Sequence, residues 1–224
     1  MNEAGAATGD GAKLVPVVRA AAQISPGVVA AVCGVGIACL VVMGVLQRTV
    51  LPDWGAANLD SEISIATRFS AALLWAAAFG WLLVAVAVRP RQLALWLWWP
   101  VLAWLALDEG AAIHEKLERW SGVDWQLLYV PVMVLGAVAW LGVVRQFRSR
   151  PRIIALLAAT AAAWLVVMIL ELVQNWGGSP VQPSVYVPTM IIEEALEMIG
   201  SASLLVAASL ALRAIVREVP KLEQ

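Results

Sequence analysis

Six runs of about 20 apolar residues, joined by short polar connections, leave this chain little choice of fold. They are Gly27–Leu46, Ile63–Val88, Leu93–Ile113, Gln126–Val144, Ile153–Asn175 and Thr189–Leu212. Each is near the ~20 residues that cross about 30 Å of hydrocarbon as a helix. Charge is scarce to match. Only 14% of the 224 residues are charged, where a soluble domain carries roughly a quarter. Mean hydropathy is +0.82. The expected fold is therefore all-α: a polytopic membrane protein with a six-helix bundle over residues 27–212. Residues 1–26 read as a disordered cytoplasmic tail and residues 213–224 as a second cytoplasmic tail. No connection is long enough to form a separate soluble domain. The first apolar run is longer than a signal-peptide core and reads as a signal anchor.

Basic residues set the expected orientation. Lys13 and Arg19 precede the first run, Arg89 and Arg91 join the second and third, and Arg145, Arg148, Arg150 and Arg152 join the fourth and fifth. Arg213, Arg217 and Lys221 follow the sixth. The opposite side holds only Arg48, Arg68, Lys116 and Arg119. The positive-inside rule then puts both termini in the cytoplasm. Trp54, Trp120, Trp125 and Trp176 fall at the other interface, as an aromatic belt. The apparent lack of processing signals fits a multi-pass protein of a bacterial inner membrane. Cys33 and Cys39 share one run six residues apart, on different helix faces, which argues against a disulfide. A net charge of −1 gives no reason to expect a nucleic-acid partner.

Seven carboxylates fall at one depth of this expected bundle: Asp108, Glu109, Glu115, Glu171, Glu193, Glu194 and Glu197. At a rise of about 1.5 Å per residue, Asp108 stands about 22 Å and Glu171 about 27 Å above the cytoplasmic ends of their helices. Glu197 and Glu193 come out at about 22 and 28 Å, and Arg68 near 30 Å. All therefore belong to the outer leaflet, facing the periplasmic or extracellular side. Faces agree as well. Glu193 and Glu197 are four apart, with Glu194 within about 100° of both. Asp108 and Glu115 are seven apart on one stripe. Ser64, Thr67, Arg68 and Ala71 share a face, and Glu171 continues into Gln174 and Asn175. Small residues offer close helix contacts: Ala158, Ala159, Ala161, Ala162 and Ala163 on the fifth helix, and Gly200, Ser201, Ala207 and Ala208 on the sixth.

Ionisable side chains at membrane depth mark functional sites by default. Seven acids face one arginine, Arg68, and the chain's single histidine, His114. Such a layer has to be solvated, protonated or neutralised by bound cations. Two bland alternatives stand beside this. Glu115 can pair with Arg119 at i,i+4, and Glu193 and Glu194 can simply favour a helix N-terminus through its dipole. Named chemistries narrow the field. Di-metal carboxylate bundles use two Glu-x-x-His motifs, and none is present. The Glu193-Glu194 pair is superficially similar to that of the CAAX-type intramembrane proteases. Those need further histidines, which this chain lacks. Zinc His-Glu-x-x-His chemistry fails for the same reason.

Three readings remain. The first is a cation site, for transport or for metal-assisted chemistry on a lipid or other small amphiphile. Its ligands would be Asp108, His114, Glu115, Glu171, Glu194 and Glu197, with Glu109 or Glu193 as base and Arg68 as counter-charge. Oxygen ligands suit a hard divalent metal ion. The second is a proton-coupled carrier using the same carboxylates. It needs a polar path to the cytoplasm, and Trp96, Trp98, Trp99, Pro100 and Trp104 occupy the third helix below Asp108. The third is a structural or accessory subunit, with a membrane-protein partner or a second copy, whose polar layer holds helices together.

Overall fold

The structure is a computed structural model that describes residues 11–50, 55–59, 64–88, 92–174 and 182–218. Among these residues, regular structure is entirely helical. The α-helices are α1 Gly11–Gln23, α2 Pro26–Thr49, α3 Ile65–Ala87, α4 Leu93–Ala111, α5 Ile113–Ser121, α6 Trp125–Leu128, α7 Val130–Gln146, α8 Pro151–Gln174 and α9 Pro183–Glu218. A 3-10 turn, Gly55–Ala57, lies between α2 and α3.

The expected apolar runs are helical, but the third is interrupted at Ala112 and the fourth is divided between α6 and α7. Four of them, α2, α3, α8 and α9, are long and apolar enough to cross a membrane. Helix α7 is apolar but has 17 residues. Helix α4 has 19, with Pro100 and the Asp108-Glu109 pair within it.

The termini differ from expectation. Residues 11–23 are helical, where the sequence suggested a disordered tail. Val18 and Ala22 of α1 are buried in the main core, and Arg213 donates from Nε to the Ala22 carbonyl at 3.1 Å. Apolar contact on one face and a charged hydrogen bond to a helix-end carbonyl offset the entropy of ordering α1. At the other end, α9 continues through Glu218 rather than stopping at Leu212. At 36 residues it is about 54 Å long.

Helix α9 is the axis of the packing. It lies against α1, α2, α3 and α8, while α3 also packs on α4, and α4 on α7. The expected small-residue contacts hold on α9, where Ala207 and Ala208 are fully buried. A Cβ on Gly80 of α3 would stand 2.9 Å from the Ala208 Cβ, so a side chain here would push α3 and α9 apart. On α8 the alanines mostly face outward: Ala158, Ala159, Ala161 and Ala162 are exposed and only Ala163 is buried. Thr160 makes the contact instead, donating to the Gly200 carbonyl at 3.1 Å. Indole N–H groups tie other helices together. Trp81 donates to the Leu204 carbonyl and Trp140 to the Leu157 carbonyl, both at 3.3 Å. Outward-facing apolar side chains, among them Val28, Val32 and Val35 of α2 and Leu165 and Ile169 of α8, form the kind of surface that lipid covers.

Candidate functional site

The acidic end of the bundle starts with a break in the chain. Helix α4 stops at Ala111, and Ala112 takes the left-handed conformation at φ 46°, ψ 52°. An L-residue there costs roughly 1–2 kcal/mol. After the break, the start of α5 lies beside the last turn of α4. Ala112 offers no side-chain cap to α5. Asp108 supplies one from the preceding helix: the His114 backbone N–H donates to Oδ1 at 2.7 Å. The imidazole Nδ1 lies 3.0 Å from Oδ2 of the same carboxylate. An ionised carboxylate only accepts, so the proton on this ring sits at Nδ1. The Nε2 atom is then the basic nitrogen of the neutral imidazole.

Aromatic side chains pack around this pair. The Trp125 ring centroid is 5.0 Å from that of His114. Tyr129 meets His114 edge-on at 6.5 Å and Trp125 at 5.5 Å. Tyr129 is buried, with its hydroxyl beside Asp108. Trp125 also reaches the next helix, donating from Nε1 to Glu171 Oε1 of α8 at 2.6 Å. Gln174, one turn on, donates to Glu193 Oε2 of α9 at 2.6 Å. Glu197, partly buried on α9, is within electrostatic reach of Glu109, Glu171, Glu193 and Glu194. Trp125 and Gln174 thus tie Glu171 of α8 and Glu193 of α9 into hydrogen bonds near a histidine held by Asp108.

Two expected site residues lie apart from it. Glu115 was placed on one stripe with Asp108 by assuming an unbroken helix. The break at Ala112 separates them, and Glu115 pairs with Arg119 at 3.2 Å on the exposed side of α5. Arg68 was grouped with Ser64, Thr67 and Ala71. Those three are buried, whereas Arg68 is exposed. Ser64 is instead the N-cap of α3, accepting from the Thr67 N–H at 3.1 Å. Among the described residues, no three His, Cys, Asp or Glu side chains stand together in metal-holding geometry. Trp54, Trp176 and Asn175 lie outside the described residues. Tyr129 is the addition that sequence reasoning did not find. Its one signal is its place four residues after Trp125, on the same face of a helical stretch.

Below this layer, the main core is apolar, with Trp81, Leu95, Trp98, Leu102 and Val84 packed together. The described residues thus form an all-helical chain in which four helices are long and apolar enough to cross a membrane. The chain belongs to a family of unknown function, DUF8692, whose match spans residues 28–212. No curated protein and no solved structure matches it.

Proposed function

We propose that this chain is an integral membrane protein with six crossing segments, cytoplasmic termini and a carboxylate-rich cation site in the outer leaflet. In a bacterium that site would face the periplasm. The observation that carries the reading is the pair of hydrogen bonds that bring carboxylates of neighbouring helices to one end of the bundle, Trp125 to Glu171 of α8 and Gln174 of α8 to Glu193 of α9, beside the Asp108–His114 pair and within one turn of Glu194 and Glu197. Carboxylates held this close repel one another, and a divalent cation relieves that repulsion. The Asp108–His114 pair supports a metal in particular, because metal-binding imidazoles commonly donate their other N–H to a carboxylate. Asp108 is then an orienting group. His114, Glu171, Glu194 and Glu197 are the ligands, and Glu109 or Glu193 is the base. Side-chain rotation has to complete the ligand set. A bound ion would act as a Lewis acid on an oxygen of a lipid or small amphiphile entering from the outer leaflet. The apolar core beneath the layer weighs against a proton carrier.

A structural role is the second reading, favoured by one feature. Asp108, Glu171 and Glu193 each already accept a hydrogen bond that joins two elements. Metal analysis of the detergent-purified protein separates the two. The cation reading expects near-stoichiometric metal in the wild type and its loss in Glu194→Gln and Glu197→Gln. A metal-free wild type, even after divalent ions are added back without chelator, leaves the structural reading.

A further inference from the structure

The opposite ends of α8 and α9 carry a feature that the acidic layer does not explain. Arg152 and Glu171 lie on the same helix 19 positions apart, about 28 Å along its axis. At the Arg152 end, a cavity of about 640 Å³ opens between the start of α8 and the last turns of α9. Arg150, Arg152, Arg213 and Arg217 line it, and Glu218 is the one acid among the lining residues. Glu218 is paired with Arg150. Ile153, Leu210 and Ala214 supply apolar wall. A second cavity of about 300 Å³, between α1 and α9, shares Arg213 and Arg217 and adds Arg19.

Arginines placed only to orient a membrane protein have no need to converge. Here guanidiniums from two helices face one hollow, and its wall includes apolar side chains from the same helices. Guanidinium is suited to bidentate contact with phosphate oxygens. The start of α8 adds the positive end of a helix dipole. A soluble phosphate would use the guanidiniums alone. A lipid would use both parts, its headgroup on the arginines and the beginning of its acyl chains along the part-exposed Leu210 and Ala214. We propose that this cavity binds the headgroup of an anionic phospholipid, independently of the acidic layer at the other end.

The test is native mass spectrometry of the full chain in neutral detergent. Phosphatidylglycerol is titrated against phosphatidylcholine of the same acyl chains, with inorganic phosphate in a parallel arm. The double variant Arg152→Gln/Arg217→Gln removes one guanidinium from each helix. Arg145→Gln/Arg148→Gln removes two exposed charges that do not line the cavity. The expected result is preferential retention of phosphatidylglycerol by the wild type and on the order of tenfold weaker retention by the first variant. The second variant should stay within about twofold of wild type. Equal retention of both lipids by the wild type would overturn the proposal, as would an equal loss in the two variants. So would binding of inorganic phosphate with no preference between the lipids. If the first variant does not fold, Arg152→Gln alone is read by the same criteria.

Discussion

Two tryptophans show how differently the middle and the acidic end of this bundle are built. Trp81, in the middle, is fully buried and gives its indole N–H to a backbone carbonyl, that of Leu204. Its ring meets Phe147 edge-on at 5.9 Å. Trp125, at the acidic end, is partly buried, packs on a histidine and gives its N–H to a carboxylate, Glu171. The middle is therefore held by shape and by backbone groups that cannot change state. The acidic end is held by side chains that can rotate, gain a proton or accept an ion. A site able to respond to a ligand belongs in the second kind of region.

The contrast breaks most visibly at Trp81. Trp81→Ala empties a closed position and is expected to cost about 3–5 kcal/mol, read as a large fall in the thermal midpoint of the purified protein. A loss below about 1 kcal/mol would mean that the middle is not closely packed. Asp108→Ala comes next, at about 1–3 kcal/mol, because it leaves the His114 donors without their carboxylate. Here the loss should be local, seen as faster hydrogen exchange over residues 113–129. Asp108→Asn keeps one acceptor oxygen and should restore much of that protection. Equal exchange in wild type and Asp108→Ala would remove the capping role. Glu171→Gln should cost about 1 kcal/mol or less, since an amide oxygen still accepts from Trp125. Glu115→Gln, at the exposed pair with Arg119, should change stability by no more than about 0.5 kcal/mol. A larger loss there would place Glu115 back among the working residues of the layer.

Much of this was legible in the residues, for identifiable reasons. Apolar runs of membrane length declare themselves, so the four long apolar helices α2, α3, α8 and α9 were readable. Their ends were less so: α1 is amphipathic, too short and too mixed to register as an apolar run. A constant rise per residue also predicts Glu171 and Glu193 at similar heights on neighbouring helices, and Gln174, one turn from Glu171, does reach Glu193. Rotation was not legible. A single residue, Ala112, takes a conformation that its own side chain disfavours, and this moves Glu115 out of the layer and His114 onto Asp108. Gly110, two residues earlier, would have been the natural place to expect such a break. Arg68 failed for another reason. Helical periodicity put it near Thr67 and Ala71, but a long cationic side chain at a helix end is free to turn outward. Trp125 is legible as an interfacial aromatic, but its packing on His114, and that of Tyr129, is not.

The central claim is that the carboxylates around Glu197 form a cation site. It is tested most directly by following thermal unfolding of the purified wild type and Glu197→Gln while a divalent cation is titrated in. Binding to the folded state at 100 times its dissociation constant would stabilise the wild type by about 2.7 kcal/mol. The account predicts a rising midpoint for the wild type and a flat one for Glu197→Gln, with Glu115→Gln behaving as wild type. Flat curves for all three proteins, or the same rise in all three, would contradict it.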